Sequence, residues 1–141
     1  MTQVYFYSGS NDKLLTACRL CAKAVQQNLK VLIYAPDAAV LEQLDQLLWT
    51  FSPVSFIPHC DIREDNELVS ATPVILSNRI PTDKQFDVLL NLHLQQPPDF
   101  DQFSRLIEIA DTSVKGKQAA RTRYRFYKDA HYPIHHFNLN D

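Results

Sequence analysis

The stretch KVLIYAPDAAVLEQLDQLL, residues 30–48, decides the fold class. After Lys30 its first residues are all apolar, which is typical of a strand that is buried on both faces of a parallel sheet. Pro36 and Asp37 then mark the start of a helix. Apolar residues recur at steps of three and four in the rest of the stretch, which is the period of one helix face. The inner face of this helix is predicted to carry Val40, Leu41, Leu44, Leu47 and Leu48.

The same alternation of strand and helix extends in both directions along the chain. Residues 3–8, QVYFYS, are β-branched and aromatic and predict a first strand, and residues 14–29 have the apolar spacing of a helix. Residues 50–72 have loop character. The remaining predicted elements are strands at 73–77, 86–92 and 105–111, a short helix within 97–103, a helix after Ser113, and an extended end at 135–140.

Strands that alternate with helices indicate crossover units on a parallel sheet. We therefore predict a single α/β domain over residues 1–141, built as a three-layer α/β/α sandwich with a mostly parallel central sheet. Its topology is expected to be nucleotidase-like or Rossmann-like, but without a phosphate loop. Phosphate-binding loops need several glycines at fixed spacing, and this chain contains only Gly9 and Gly116.

The sequence gives little sign of catalysis, of a cofactor or of a metal site. No Ser-His-Asp set or carboxylate pair is apparent at the predicted strand ends, so we expect a protein that is not an enzyme. Cys18 and Cys21 fall within a helical pattern, and three cysteines without a signal peptide argue against a disulfide framework. His135 and His136 are adjacent and would point to opposite sides of a strand, which disfavours a shared metal. We expect a cytoplasmic protein with no membrane segment.

The stretch VKGKQAARTRYRFYKD, residues 114–129, concentrates positive charge in a chain whose net charge is −2. It holds six of the 14 Lys and Arg residues of the chain, interleaved with aromatic side chains. On a helix, Lys117, Arg121 and Arg125 share a stripe, and Tyr124 lies along the same side. Three interpretations are open: a solvated helix face, a surface for nucleic acid, and a site for an acidic peptide or free carboxylate. The acidic remainder of the chain disfavours a long polyanion.

A second unusual stretch, LWTFSPVSFIPH at residues 48–59, places Trp49 and Phe56 between prolines at a helix end. One interpretation is core packing beneath a long loop. The other is a rigid aromatic platform for a partner protein, because aromatic side chains supply large contact area at low entropy cost.

Together these stretches resemble the chi subunit family of bacterial DNA polymerase III. The resemblance is carried by residues 30–59, by KQAARTRYRFYK at 117–128 and by FNLN at 137–140. It extends from the first strand to FNLN, and the tryptophan seven residues before a Phe-x-Pro-His sequence is its most specific feature.

The resemblance implies a non-catalytic accessory subunit of the clamp loader with a nucleotidase-like fold, no nucleotide and no cofactor. It implies a psi subunit as one partner. As another it implies the acidic C-terminal tail of single-stranded-DNA-binding protein, which ends in Pro-Phe and a free carboxylate, so that nucleic acid is contacted only indirectly. Some members also bind a repair helicase on the aromatic surface. The implied tail-binding residues are Lys117, Arg121 and Tyr124, to which the helix stripe adds Arg125 and the end of the chain adds Phe137. The implied psi-binding residues are Trp49, Phe56 and Pro58.

Two other functions remain open at this stage. The first is a module that binds single-stranded nucleic acid directly through the same basic and aromatic helix. The second is a small hydrolase or nucleotide-binding enzyme on the α/β fold, against which the scarcity of glycine argues.

Overall fold

The backbone alternates between strands and helices from the first residues onward. The computed structural model describes residues 1–53 and 56–139, and this part of the chain contains seven strands, four helices and a short 3₁₀ turn at Phe100–Gln102. In chain order the elements are β1 (Gln3–Ser10), α1 (Lys13–Gln26), β2 (Val31–Tyr34), α2 (Ala38–Thr50), β3 (His59–Asp61), α3 (Asn66–Ala71), β4 (Val74–Ser77), β5 (Val88–Asn91), β6 (Arg105–Asp111), α4 (Val114–Asp129) and β7 (Ile134–Asn138).

All seven strands belong to one sheet, in the order β3-β4-β2-β5-β6-β1-β7. Every neighbouring pair of strands is parallel. The predicted α/β fold with a parallel sheet is therefore confirmed. The order also places β3 and β7 at opposite edges of the sheet, which separates the two surfaces described below.

Two apolar clusters cover the two faces of the sheet. One cluster joins the sheet to α1 and α2 through buried side chains such as Cys18 and Leu44. The other joins the opposite face to α3 and α4 through side chains such as Val69, Ala120 and Tyr127. The three layers predicted from the sequence are thus present, with the central strands buried on both faces.

Aspartates begin the first two helices, as the sequence indicates. The Asp12 carboxylate accepts a hydrogen bond from the backbone N–H of Leu15 at 3.2 Å. The Asp37 carboxylate accepts one from the N–H of Ala39 at 2.9 Å. Each contact satisfies a backbone donor that has no partner within the first turn of its helix.

The prediction of a loop at residues 50–72 is wrong in part, because this stretch also contains β3 and α3. The side chain of Asp65 caps α3, and Val69 is the buried residue of this helix. β3 extends the sheet by pairing His59 with Val74. Three-residue and six-residue elements are too short to show a periodic pattern, so their apolar residues could not be told from those of a packed loop. Residues 54 and 55, and Asn140 of the predicted extended end, lie outside the described residues.

No helix within residues 1–53 and 56–139 is long and apolar enough to cross a membrane.

Candidate functional site

The start of α4 is fixed by a compact set of polar contacts. Ser113 Oγ accepts a hydrogen bond from the N–H of Gly116 at 3.0 Å, which caps the helix. Asp111 Oδ1 in turn accepts hydrogen bonds from the N–H and the hydroxyl of Ser113, at 3.0 and 2.6 Å. A Cβ atom at position 116 would lie 1.9 Å from Asp111 Oδ1. Glycine at this position therefore lets the aspartate approach the helix and hold the capping serine.

The side chains of α4 divide between a buried face and an exposed face. The buried face consists of Gly116, Ala120, Arg123 and Tyr127. On the exposed face, Lys117 and Arg121 are open to solvent and Tyr124 is half-buried. Of the residues predicted to lie along one side of the helix, Lys117, Arg121 and Tyr124 line the same hollow. Arg125 is also exposed, and it borders a second hollow along the same helix with Arg121, Tyr124 and Lys128.

A groove of about 500 Å³ lies between this face of α4 and the ends of β1, β6 and β7. Phe6, Ala110 and Ala120 contribute apolar surface to it, and the two cations Lys117 and Arg121 outnumber the one carboxylate, Asp111. Apolar walls beside cations form an environment that can accept a carboxylate attached to an apolar side chain.

The aromatic side of the groove is held by contacts between rings. The Tyr124 ring meets the Phe6 ring edge to face, with 5.4 Å between centroids. The His136 ring lies 6.3 Å from Tyr124, and His136 Nε2 is 2.8 Å from Ser8 Oγ. Sequence reasoning missed His136 as a groove residue. Alternation along a strand indicates only that adjacent side chains point to opposite faces, and the pairing of β7 with β1 decides that His136 is the one that faces α4.

Phe137 does not line this groove, and its suggested place there is corrected. Its ring stacks on Tyr7, with centroids 4.9 Å apart, and lies 6.4 Å from Tyr5. Tyr5 and Tyr7 pack against the cluster on the α1 side of the sheet. Because successive residues of a strand point to opposite faces, the turn of His136 toward α4 directs Phe137 away from it.

Arg123 belongs to the same basic stretch, but it lies off the exposed stripe and is buried. Only 2% of its surface is exposed, and its Nε donates to Glu108 Oε1 at 3.0 Å. Glu108 lies in the middle of β6 and is itself fully buried. This arginine therefore does not add to the charge that faces solvent.

The second candidate surface is an exposed aromatic pair at the end of α2. Trp49 is 51% exposed and Phe56 is 69% exposed, and their ring centroids are 5.3 Å apart. The predicted exposure and proximity of these two side chains are confirmed. Pro58 is half-buried beside them and follows Ile57, which is buried in the core.

His59 supports this aromatic pair from below. Its ring centroid lies 4.4 Å from that of Trp49. His59 Nδ1 is 2.8 Å from the carbonyl oxygen of Ile57, and His59 Nε2 is 3.0 Å from Asp45 Oδ1. These contacts fix the Trp49 indole against a buried neighbour while its other surface faces solvent.

Trp49 borders a cavity of about 560 Å³ at the β3 edge, and the acidic side chains that line this cavity outnumber its one arginine, Arg63; they are Glu42, Asp45, Asp61 and Glu64. The two candidate surfaces therefore differ in sign as well as in position. Within the described part of the chain, no group of three or more His, Cys, Asp or Glu side chains is arranged to hold a metal ion.

The solved structure of the Sulfolobus solfataricus SWI2/SNF2 ATPase C-terminal domain has a similar fold. The match has a TM-score of 0.50 at 9% sequence identity and covers 83% of this chain and 58% of that one. At this level of identity the likeness concerns the α/β fold alone.

Sequence comparisons identify closer relatives. The family model described as DNA polymerase III chi subunit, HolC, matches residues 1–135. The DNA polymerase III subunit chi of Pseudomonas aeruginosa is 36% identical, with 99% of this chain and 98% of the relative covered. The subunit chi of Escherichia coli is 26% identical, with 99% and 97% covered, and that of Haemophilus influenzae is 32% identical, with 77% and 75% covered. A family model that spans almost the whole chain, together with a relative that is 36% identical and matched over 98% of its length, shows that this chain belongs to the DNA polymerase III chi subunit family.

Proposed function

We propose that this chain links the clamp loader to single-stranded-DNA-binding protein, by holding the acidic C-terminal tail of that protein in the groove beside α4. The observation that supports this most is the placement of Lys117, Arg121 and Tyr124 around one apolar hollow. The chain acts as a connector in this proposal, and chemistry is left to other subunits.

The groove suits a short acidic peptide with a free terminal carboxylate. The guanidinium of Arg121 can grip a carboxylate with two hydrogen bonds, and the ammonium of Lys117 adds a point charge. The apolar surface of Phe6 and Ala120 can take an aromatic side chain attached to that terminus. The chain has a net charge of −2, so a longer polyanion would meet repulsion beyond the groove.

The psi subunit is the partner that we propose for the aromatic pair. Trp49 and Phe56 form an exposed apolar patch at the edge of the molecule opposite the groove. Large exposed aromatic side chains held on a rigid base are typical of the centre of a protein interface. Pro58 and the buried Ile57 supply that base by limiting the motion of the backbone around Phe56.

Isothermal titration with a synthetic acidic peptide that ends in Pro-Phe with a free carboxylate tests the first proposal. The Arg121→Ala variant should bind about tenfold or more weakly, because losing a charge-assisted contact costs about 1.5–3 kcal/mol and each 1.4 kcal/mol is about tenfold in affinity. Its thermal unfolding should match that of the wild type, since Arg121 is exposed.

The matched control is Arg19→Ala, which removes an exposed arginine from α1 on the other face of the sheet. This variant should bind the peptide as the wild type does. Equal binding by Arg121→Ala and the wild type would refute the placement of the tail in this groove.

The psi proposal is tested by co-purification of the chain with a psi subunit from a related bacterium. Phe56→Ala should abolish recovery of psi while the tail peptide still binds with wild-type affinity. A matched control is Leu68→Ala, which truncates another exposed apolar side chain, on α3. Undiminished recovery of psi by Phe56→Ala would contradict the assignment of this surface.

A further inference from the structure

A buried polar cluster joins α4 to the middle of the sheet. The Glu108 carboxyl group on β6 accepts hydrogen bonds from Arg123 Nε at 3.0 Å and from the Tyr127 hydroxyl at 2.5 Å. The side-chain amide of Asn91 on β5 donates to the same carboxyl group at 3.1 Å. We call Glu108, Arg123 and Tyr127 the anchor cluster.

The anchor cluster reaches the backbone on the other side of the arginine. One terminal nitrogen of Arg123 donates to the carbonyl oxygen of Leu94 at 2.6 Å. Burial, and next the negative charge of Glu108, raise the pKa of Tyr127, so its hydroxyl stays protonated and remains a donor. The guanidinium is thus held from two directions, and the position of the helix relative to β6 is defined by directional contacts.

Beyond the cap at its first turn, the other buried contacts of α4 give little directional information. The remaining buried residues of the helix are Gly116 and Ala120, whose side chains are absent or small. Small apolar contacts are non-directional and tolerate a range of helix rotations. Beyond the first turn, the rotation of α4 about its axis therefore depends mainly on Arg123 and Tyr127.

The rotation of α4 about its axis determines which of its side chains face the groove. Tyr124 directly follows Arg123 and points about 100° around the helix from it, and Arg121, two residues before Arg123, points about 160° from it, as the geometry of 3.6 residues per turn requires. A rotation of about 20° moves a side chain near the outer surface of a helix by roughly 2 Å. A binding site must be held within about 0.5 Å and 10–20°.

We propose that the anchor cluster is the positioning device of the groove: Glu108, Arg123 and Tyr127 set the rotation of α4 that brings Lys117, Arg121 and Tyr124 to one ligand. This inference rests on the proposed function, because it names what orients the residues of the tail-binding groove. Arg123 is a positioning residue and does not touch the ligand.

If the anchor cluster only stabilised the fold, replacing it would have a different effect on peptide binding. Buried ion pairs can often be replaced by apolar residues of similar size without loss of stability, whereas the directional information of the pair is lost. The triple variant Glu108→Leu, Arg123→Met, Tyr127→Phe makes this replacement and leaves every groove residue in place. Positioning predicts weaker binding at similar stability, and simple stabilisation predicts that the two properties change together.

The experiment measures affinity for the acidic Pro-Phe peptide at two ionic strengths, together with urea unfolding. In the triple variant the affinity should fall about tenfold, and its dependence on salt should become shallower because fewer cations reach the peptide at once. Leu44→Ala is the control: it opens a cavity beneath α2 in the other layer, so it should lower stability and leave peptide affinity unchanged. A folded triple variant that binds the peptide as the wild type does would overturn the inference.

Two further measurements separate this inference from the proposed function. Nuclear Overhauser contacts between the Tyr124 and Phe6 rings report the rotation of α4 without any peptide, and they should be present in the wild type and lost in the triple variant. Their persistence in the variant would overturn the inference, whereas failure of the wild type to bind peptide would overturn only the proposed function.

If the triple variant does not fold, the single variants Tyr127→Phe and Arg123→Lys take its place. Each should lower affinity about threefold, and unchanged affinity and ring contacts in both would overturn the inference.

Discussion

At the scale of single residues, the two cations of the groove should contribute unequally to tail binding. Arg121 can form two parallel hydrogen bonds with a carboxylate, whereas the ammonium of Lys117 acts as a hydrated point charge. Lys117 is exposed, so water and salt screen its attraction. Lys117→Ala should therefore weaken peptide binding less than Arg121→Ala does. An equal or larger loss with Lys117→Ala in the same titration would contradict this ranking.

Tyr124 should contribute packing, which salt does not screen. Its ring contacts Phe6 and is half-buried at the side of the groove. The affinity lost in Tyr124→Ala should be the same at low and at high ionic strength, while wild-type binding weakens as salt rises. A loss that vanishes at high salt would mean that Tyr124 acts by placing charge and does not pack against the ligand.

The cysteines provide a residue-scale test of the core. Cys18 and Cys21 are fully buried, and burial raises the pKa of the Cys18 thiol to about 12 and also raises the pKa of Cys21. Only thiolates react readily with Ellman's reagent. At pH 8 the native protein should expose at most one reactive thiol, at the half-buried Cys60, and all three should react in denaturant. Rapid labelling of two or more thiols in the native state would contradict the packing of α1.

Arg121 and Arg123 show where prediction from sequence ends at this scale. Helical spacing was sufficient to place Lys117, Arg121 and Tyr124 on one face. It could not reveal that Arg123, two positions away, is buried, because its partner Glu108 lies in a strand that otherwise reads as apolar. Recognising such a pair requires knowing which strand the helix covers. The direction of the Phe137 side chain depends in the same way on how β7 pairs with β1.

At the scale of elements, the stability of α4 depends on how it begins. The Ser113 hydroxyl caps the helix and is itself held by Asp111. Ser113→Ala should lower the free energy of unfolding by about 1 kcal/mol, within a general range of about 0.5–2 kcal/mol for such caps. Its effect on peptide affinity should be small, because the anchor cluster lies further along the helix. Urea unfolding measures the first quantity, and a stability equal to that of the wild type would show that the cap is dispensable.

Most elements were predictable because each one carries a clear local pattern. β2 is a continuous apolar run, and α2 repeats its apolar residues at helical spacing for 13 residues. β3 and α3 lack this advantage, since their burial depends on distant partners such as β4. The sequence left open whether Trp49 and Phe56 pack in the core or are exposed. In the structure β3 fills the space beneath these two side chains, so they are exposed.

At the scale of the whole molecule, the sheet separates the two candidate surfaces. The groove lies at the β7 edge and the aromatic pair at the β3 edge of a seven-stranded sheet. With strands about 4.8 Å apart, the edges are separated by about 30 Å. A ligand on one surface should therefore leave the other free, as a connecting subunit requires.

This separation predicts independent binding. The affinity for the acidic peptide should be the same, within about twofold, for the free chain and for its complex with a psi subunit. A calorimetric comparison of the two would measure this. A peptide that displaces psi would mean that the two ligands share a surface, and the connector model would then fail.

Charge at the scale of the molecule also separates the proposal from direct binding of nucleic acid. An oligonucleotide of about 20 nucleotides should bind weakly at physiological salt, since the chain outside α4 carries a net negative charge. Fluorescence anisotropy with a labelled oligonucleotide measures this affinity. Tight binding that is lost in Arg121→Ala would favour the nucleic-acid interpretation of α4.

In the proposed function, the groove beside α4 holds the free terminal carboxylate of an acidic tail. This is tested by calorimetric titration of the wild-type chain with two peptides of identical sequence, one with a free C-terminal carboxylate and one with a C-terminal amide. The amide should bind about tenfold or more weakly, because Arg121 loses its charge-assisted partner, and this difference should disappear in Arg121→Ala. Equal affinities of the two peptides for the wild-type chain would show that the groove does not hold the carboxylate.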